Sequence, residues 1–147
     1  MKTKTLTITA ALAAASFFAG TPATAESAAN ADSLPAMHEQ GAISYLSGGI
    51  GQNEADAIKR VAKQYPLELE FLLKAKLKDE YLSNVKVLVK DMHDKKVLEA
   101  TSDGPFLLAK MPAGKYEVTA DRSGKVERRM VQIAAHEHRR VVFEWTA

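Results

Sequence analysis

From Leu67 onward apolar and polar side chains alternate along most of the chain. Leu67, Leu69, Phe71, Leu73 and Ala75 interleave with Glu68, Glu70, Leu72, Lys74 and Lys76, the period of two expected of a strand with one face in a core. Leu, Glu and Lys individually favour helix, but the period decides for strand. Val85, Val87 and Val89 repeat the alternation, and Asp91-Met92-His93-Asp94-Lys95 supplies a polar hairpin loop into a strand over 96–101. Ser102-Asp103-Gly104-Pro105 then turns the chain into two apolar runs separated by Met111-Pro112-Ala113-Gly114. There Pro fixes φ at the first corner and Gly accepts a positive φ at the close. After this turn Tyr116, Val118 and Ala120 point one way and Lys115, Glu117 and Thr119 the other. Asp121-Arg122-Ser123-Gly124 marks another hairpin turn, Val131 and Ile133 another strand, Ala134 to Glu137 a bend, and Val141, Phe143 and Trp145 a last strand with an aromatic inward face. Together these signals predict a mainly β fold, a seven-stranded antiparallel sandwich over 67–147.

The part before Leu67 reads differently. Asn53 is placed to cap a helix over 53–65, with Glu54 and Asp56 in the first turn where the helix dipole favours negative charge. Ile58, Val61, Ala62 and Tyr65 recur at helical spacing, and Pro66 ends the helix by disfavouring the helical conformation before it. This one short N-terminal helix and the glycine-rich corner ahead of it form a unit over 42–66. Residues 26–41, rich in Ala, Ser, Asn and Asp without periodicity, read as a flexible leader. Residues 1–25 carry Lys2 and Lys4, an apolar run from Leu6 to Gly20, and Ala23-Thr24-Ala25. A positive start, a short apolar middle and a small-x-small end describe a secretory signal peptide cleaved before Glu26. The expected location is periplasmic or secreted, and the run is too short to span a membrane.

Charge and cysteine usage narrow the function. The formal net charge of +2 is accounted for by Lys2 and Lys4, so the remainder is balanced and offers no surplus for nucleic acid or an anionic membrane. There is no cysteine, which excludes disulfides, thiolate metal sites and a cysteine nucleophile.

Ser47, Gly48, Gly49 and Gly51, ahead of a helix start, are the candidate ligand-binding residues, because free N–H groups there attract phosphate or carboxylate. The stretch lacks the Lys-Ser/Thr of a P-loop, and Glu54 and Asp56 would repel an anion, so a tight corner that needs glycine is the competing reading. His136 and His138 are the candidate metal ligands, since alternate residues of a strand face one way; two imidazoles alone do not complete a site, and solvated turn residues are the competing reading. Asp91, His93 and Asp94 suit a hairpin tip as well as acid–base work, and Ser44, Ser47, Ser83, Ser102 and Ser123 have no nucleophile-elbow context. Arg128-Arg129 and Arg139-Arg140 are expected to pair with Glu127, Glu137 and Glu144.

Asn84 to Trp145 resembles the transthyretin-like, carboxypeptidase regulatory-like domain. The resemblance is carried by Val85-Lys86-Val87, Thr101-Ser102-Asp103-Gly104-Pro105-Phe106, Met111-Pro112-Ala113-Gly114-Lys115-Tyr116-Glu117-Val118 and Val141-Val142-Phe143-Glu144-Trp145. Tyr45-Leu46-Ser47-Gly48-Gly49-Ile50-Gly51 is similar to the front of small exported proteobacterial proteins that carry such a domain without an assigned activity. Hydroxyisourate hydrolases of the transthyretin fold close on a Tyr-Arg-Gly-Ser type tail, whereas this chain closes on Glu144-Trp145-Thr146-Ala147. Pilin-type modules bond a Lys to an Asn near the last strand, and 139–147 contains no Asn. The resemblance therefore implies an exported, non-catalytic binding module without a cofactor, whose partner is a protein, peptide or envelope glycan. The alternatives are a metal-handling or hydrolytic protein using His136 and His138, and a structural envelope protein that self-associates through edge strands.

Overall fold

The computed structural model describes residues 34–147. The signal assigned to 1–25 and the first half of the leader assigned to 26–41 lie outside the described residues. The chain forms β1 (His38–Gln40), β2 (Ile43–Gly48), α1 (Gln52–Val61) with a 3-10 turn at Ala62–Gln64, β3 (Leu67–Lys74), β4 (Glu80–Tyr81), β5 (Lys86–Asp91), β6 (Lys96–Thr101), β7 (Phe106–Lys110), β8 (Gly114–Arg122), β9 (Lys125–Ile133) and β10 (Arg139–Thr146). One sheet runs β1-β2-β7-β3-β10, with β4 also paired to β3; the other runs β6-β5-β8-β9.

Among the described residues the fold is mainly β in two sheets, with ten strands where the sequence pattern predicts seven. The three additional strands are β1, β2 and β4. Two of them, His38–Gln40 and Glu80–Tyr81, are too short and polar to produce a period. Strand β2 is buried on both faces near its end, so it does not alternate. The expectation of a wholly antiparallel arrangement is also corrected. Strand β10 runs parallel to β3 from Arg139 opposite Leu67 to Thr146 opposite Lys74. A parallel pair needs a long crossover, and here everything from β4 to β9 lies between the two strands.

The two sheets share one apolar core. Leu67, Leu69, Phe71, Phe143 and Trp145 come from the first sheet, and Val87, Val89, Leu98, Val118 and Val131 from the second. A smaller cluster lies beneath the helix, where Ile58, Ala62 and Tyr65 meet Leu46, Phe106 and Leu108 of β2 and β7. That contact explains why β7 reads as the unbroken apolar run Phe106-Leu107-Leu108-Ala109, since both of its faces are covered. The helix starts at Gln52 with Gly51 in the cap position at φ 90°, so Asn53 is a helical residue and not the cap.

Side chains also join the sheet edges. Gln40 of β1 donates from Nε2 to the Glu99 carbonyl at 2.6 Å and accepts from the Glu99 N–H at 3.0 Å. Trp145 Nε1 donates to the Lys125 carbonyl at 3.0 Å, so this indole is core, as its place in the Val-Phe-Trp face implies. Ser102 is fully buried, with its hydroxyl accepting from the Val85 N–H at 3.0 Å.

Gly104 approaches Gly48 so closely that a β-carbon on it would collide with the Gly48 carbonyl, backbone against backbone. Gly104→Ala should therefore destabilise the chain by about 1–3 kcal/mol in urea unfolding. An unchanged midpoint would mean that β2 and the 102–105 turn are not packed this way.

Candidate functional site

The glycine corner is held by groups from three places. Ser47 is 4% exposed, and its hydroxyl donates to the Phe106 carbonyl at 3.0 Å while accepting from the Asp103 N–H at 3.0 Å. Gly49, at φ 103°, donates its N–H to Glu54 Oε1 at 2.6 Å. Glu54 is the third residue of the helix and reaches back over its start, as in a capping box. A β-carbon on Gly48 would strike that same carboxylate, and one on Gly49 would strike the Phe106 ring. The carboxylate attracted to this corner is thus the chain's own. The glycines at 48 and 49 serve close packing, and Gly51 has open space around it.

The exterior of the corner exposes two large side chains, one aliphatic and one aromatic. Ile50 is 66% exposed and Tyr81 is 56% exposed. Both line a depression of about 370 Å³ together with Gly51, Leu82 and Pro105. Tyr81 is steadied from behind by the Phe106 ring, 5.7 Å away between centroids.

A second feature lies on the outer face of the first sheet. Glu68 and Glu70 stand two residues apart on β3, with side chains 8% and 6% exposed. Arg140 lies opposite Glu68 in the β3–β10 register. Its guanidinium donates to Glu70 Oε2, and its Nε lies 3.9 Å from Glu68 Oε1. The bond to Glu70 holds the Arg140 pKa above its ordinary value. His138 bridges the neighbouring elements, with Nδ1 2.7 Å from the Tyr65 carbonyl oxygen and Nε2 2.8 Å from Glu68 Oε2. Among the described residues no buried side-chain nitrogen or oxygen lacks a hydrogen-bond partner. The cluster is a fastening between β3 and β10 whose carboxylates find their partners within the chain.

His136 and His138 are not brought together on a strand. His136 is exposed in the turn before β10 at φ 62°, and His138 precedes Arg139, the first residue of β10. Strand alternation therefore does not apply to the pair. Among the described residues no three His, Asp or Glu side chains gather where they could hold a metal ion. At the hairpin tip, Asp91 Oδ1 accepts from the N–H groups of His93 at 2.8 Å and Lys95 at 3.0 Å. These bonds, that from Lys95 foremost, hold its carboxyl below the usual range. The cross-strand pairing expected of Arg128-Arg129 and Arg139-Arg140 does not form as read from the sequence: Glu127 pairs with Arg129 within β9, Glu144 with Lys74, and Arg140 with the β3 glutamates.

Sequence reasoning placed Glu68 and Glu70 on a wet face and so missed this cluster. The available signal was a histidine and two arginines, His138, Arg139 and Arg140, at the start of the last strand. No family model matches the chain, and no curated protein is similar enough to count as a relative.

Arg140→Met leaves two buried carboxylates without their cation and should cost about 1–3 kcal/mol in urea unfolding, less than for a fully buried pair because Arg140 is half exposed. Lys96→Gln, which removes an exposed partner of Glu99, should leave the urea midpoint unchanged. Equal costs would remove the cluster's special status.

The depressed Asp91 carboxyl has a definite pH signature. Its contribution to stability is present above the ordinary carboxyl value of 3.8 and is lost as pH falls through the lower folded-state value. Thermal melts across acid pH should show this loss in the native chain and a shallower decline in Asp91→Ala.

Proposed function

We propose that the chain is an exported, non-catalytic interaction module of the cell envelope, periplasmic or secreted. Its core is a transthyretin-like sandwich enlarged by the corner, helix and short strands of the first sheet, and it engages a protein or peptide at the glycine corner. The observation that carries the reading is the pairing of exposed Ile50 with exposed Tyr81 across one depression. These side chains come from distant parts of the chain and meet only because β2, β7 and β3 are adjacent. The polar groups beneath them are spent internally: Ser47 on Phe106 and Asp103, Glu54 on Gly49. What the corner offers outward is therefore apolar contact, which suits an apolar side chain of a protein or peptide. The signal-like pattern of 1–25 supports export, and the turn Met111-Pro112-Ala113-Gly114 with Tyr116 supports the fold assignment. Tyr116 donates from its hydroxyl to the Pro112 carbonyl at 2.7 Å and so closes that turn.

Immobilised protein should capture a discrete set of proteins from periplasmic extract, and Ile50→Lys should lose them while melting at the native temperature. Ile50 belongs to neither apolar cluster, so the change separates binding from folding. If the variant retains every partner, the corner is not the contact surface.

A further inference from the structure

Strand β10 ends its sheet, and among the described residues it pairs with β3 alone. Arg139 donates its N–H to the Pro66 carbonyl at 2.8 Å, and Ala147 donates to the Lys74 carbonyl at 3.2 Å. Peptide groups alternate sides along a strand, so the odd-numbered residues between them also face β3. The N–H and C=O groups of Arg140, Val142, Glu144 and Thr146 consequently face the open edge. This row is uninterrupted by proline or glycine, which makes it a template for another strand.

We propose that the occupant of this edge is a second copy of the same chain, added antiparallel about a two-fold axis at Val142. In an antiparallel pair, outward-facing residues that stand opposite each other exchange both backbone bonds. Centring the pair on Val142 sets Val142 against Val142 of the partner subunit. It also sets Arg140 against Glu144 of the partner subunit, and the two-fold repeats that pair. Arg140 and Glu144 are both exposed, at 55% and 47% of their side chains, and both lie on the outer face. Opposite charges facing across strands favour this register, whereas in-register parallel addition would set each charge beside its like. The two-fold closes the assembly at a dimer and does not propagate a fibre. Self-association at β10 is separate from partner binding at the glycine corner, and either holds without the other.

The chain has no cysteine, so single introduced thiols report the geometry cleanly. Hydrogen-bonded antiparallel pairs place Cα atoms about 5.5 Å apart, within the range of about 4.4–6.8 Å that a disulfide bridges. Val142→Cys should therefore oxidise to a covalent dimer. In Glu144→Cys the two thiols sit four residues apart along the paired strands, roughly 14 Å, and the chain should remain uncrosslinked. Sedimentation of the unmodified protein should show a monomer–dimer equilibrium, and Glu144→Arg, with native circular dichroism, should weaken it at least about tenfold. A single monomeric species from micromolar to millimolar concentration would overturn the proposal, as would crosslinking at position 144 as readily as at 142.

Discussion

Strand β3 carries two carboxylates that water does not reach, and the way they are neutralised constrains the rest of the first sheet. Leu67, Leu69 and Phe71 fill the core on one face, while Glu68 and Glu70 are buried on the other. Ionised carboxylates in such a place are costly unless a cation and hydrogen bonds accompany them. The cation comes from Arg140, with His138 closing the second carboxylate, and both arrive with the last strand. A slip of β10 by one residue would turn Arg140 into the core beside Leu69 and Phe71, expel Phe143 to the outer face and leave the glutamates bare. The charges thus specify both the register and the partner of β10, a choice that apolar burial alone leaves loose. The opposite face secures the same register through Phe143, whose ring stacks between Phe71 and Trp145.

Alternation along Val85–Val89, Tyr116–Ala120 and Val131–Ile133 made the second sheet legible, because each of its strands has one face in the core and one in water. The helix was legible from Ile58, Ala62 and Tyr65, which do form its buried stripe. The first sheet was harder to read for the opposite reason. Where the helix covers its outer face, β2 and β7 lose their period, and β2 becomes indistinguishable from a loop ending in glycine. Parallel pairing was invisible because periodicity reports which face a residue occupies and never which strand lies beside it. The site suffered similarly. Glu68 and Glu70 look like solvent-facing residues until His138 and Arg140 are brought against them, and His138 looks like half of a histidine pair until Tyr65 and Glu68 claim its ring.

The glycine corner combines two demands that usually conflict. The backbone must pass close to Gly104 and to the Phe106 ring, which excludes side chains at 48 and 49, yet it must also deliver the start of a helix. Glu54 resolves the second demand by folding back onto the Gly49 N–H. That use of its own carboxylate removes the electrostatic reason for an external anion to bind, and it shifts the available chemistry of the corner to Ile50 and its apolar surroundings. Glycine-rich sequence ahead of a helix therefore carries different meanings depending on whether an acidic side chain lies within reach of the exposed N–H groups.

Two open-edged sheets present four edges, and the chain deals with them unequally. Strand β1 is three residues long, too short to recruit another strand. On β6 the Gln40 amide donates to and accepts from Glu99, so a side chain supplies the bonds that a neighbouring strand would make. The nine residues of β9 carry Lys125, Arg128 and Arg129 against a single acid, Glu127, and a surplus of like charge repels a second copy. Among the described residues only β10 combines length with an edge-facing row that holds one cation and one anion, Arg140 and Glu144, placed so that reversal of direction turns them from repulsive to complementary. Arg140 is therefore used twice by the same geometry: toward β3 it neutralises Glu70, and toward the open edge its exposed half selects which direction a neighbouring strand can run.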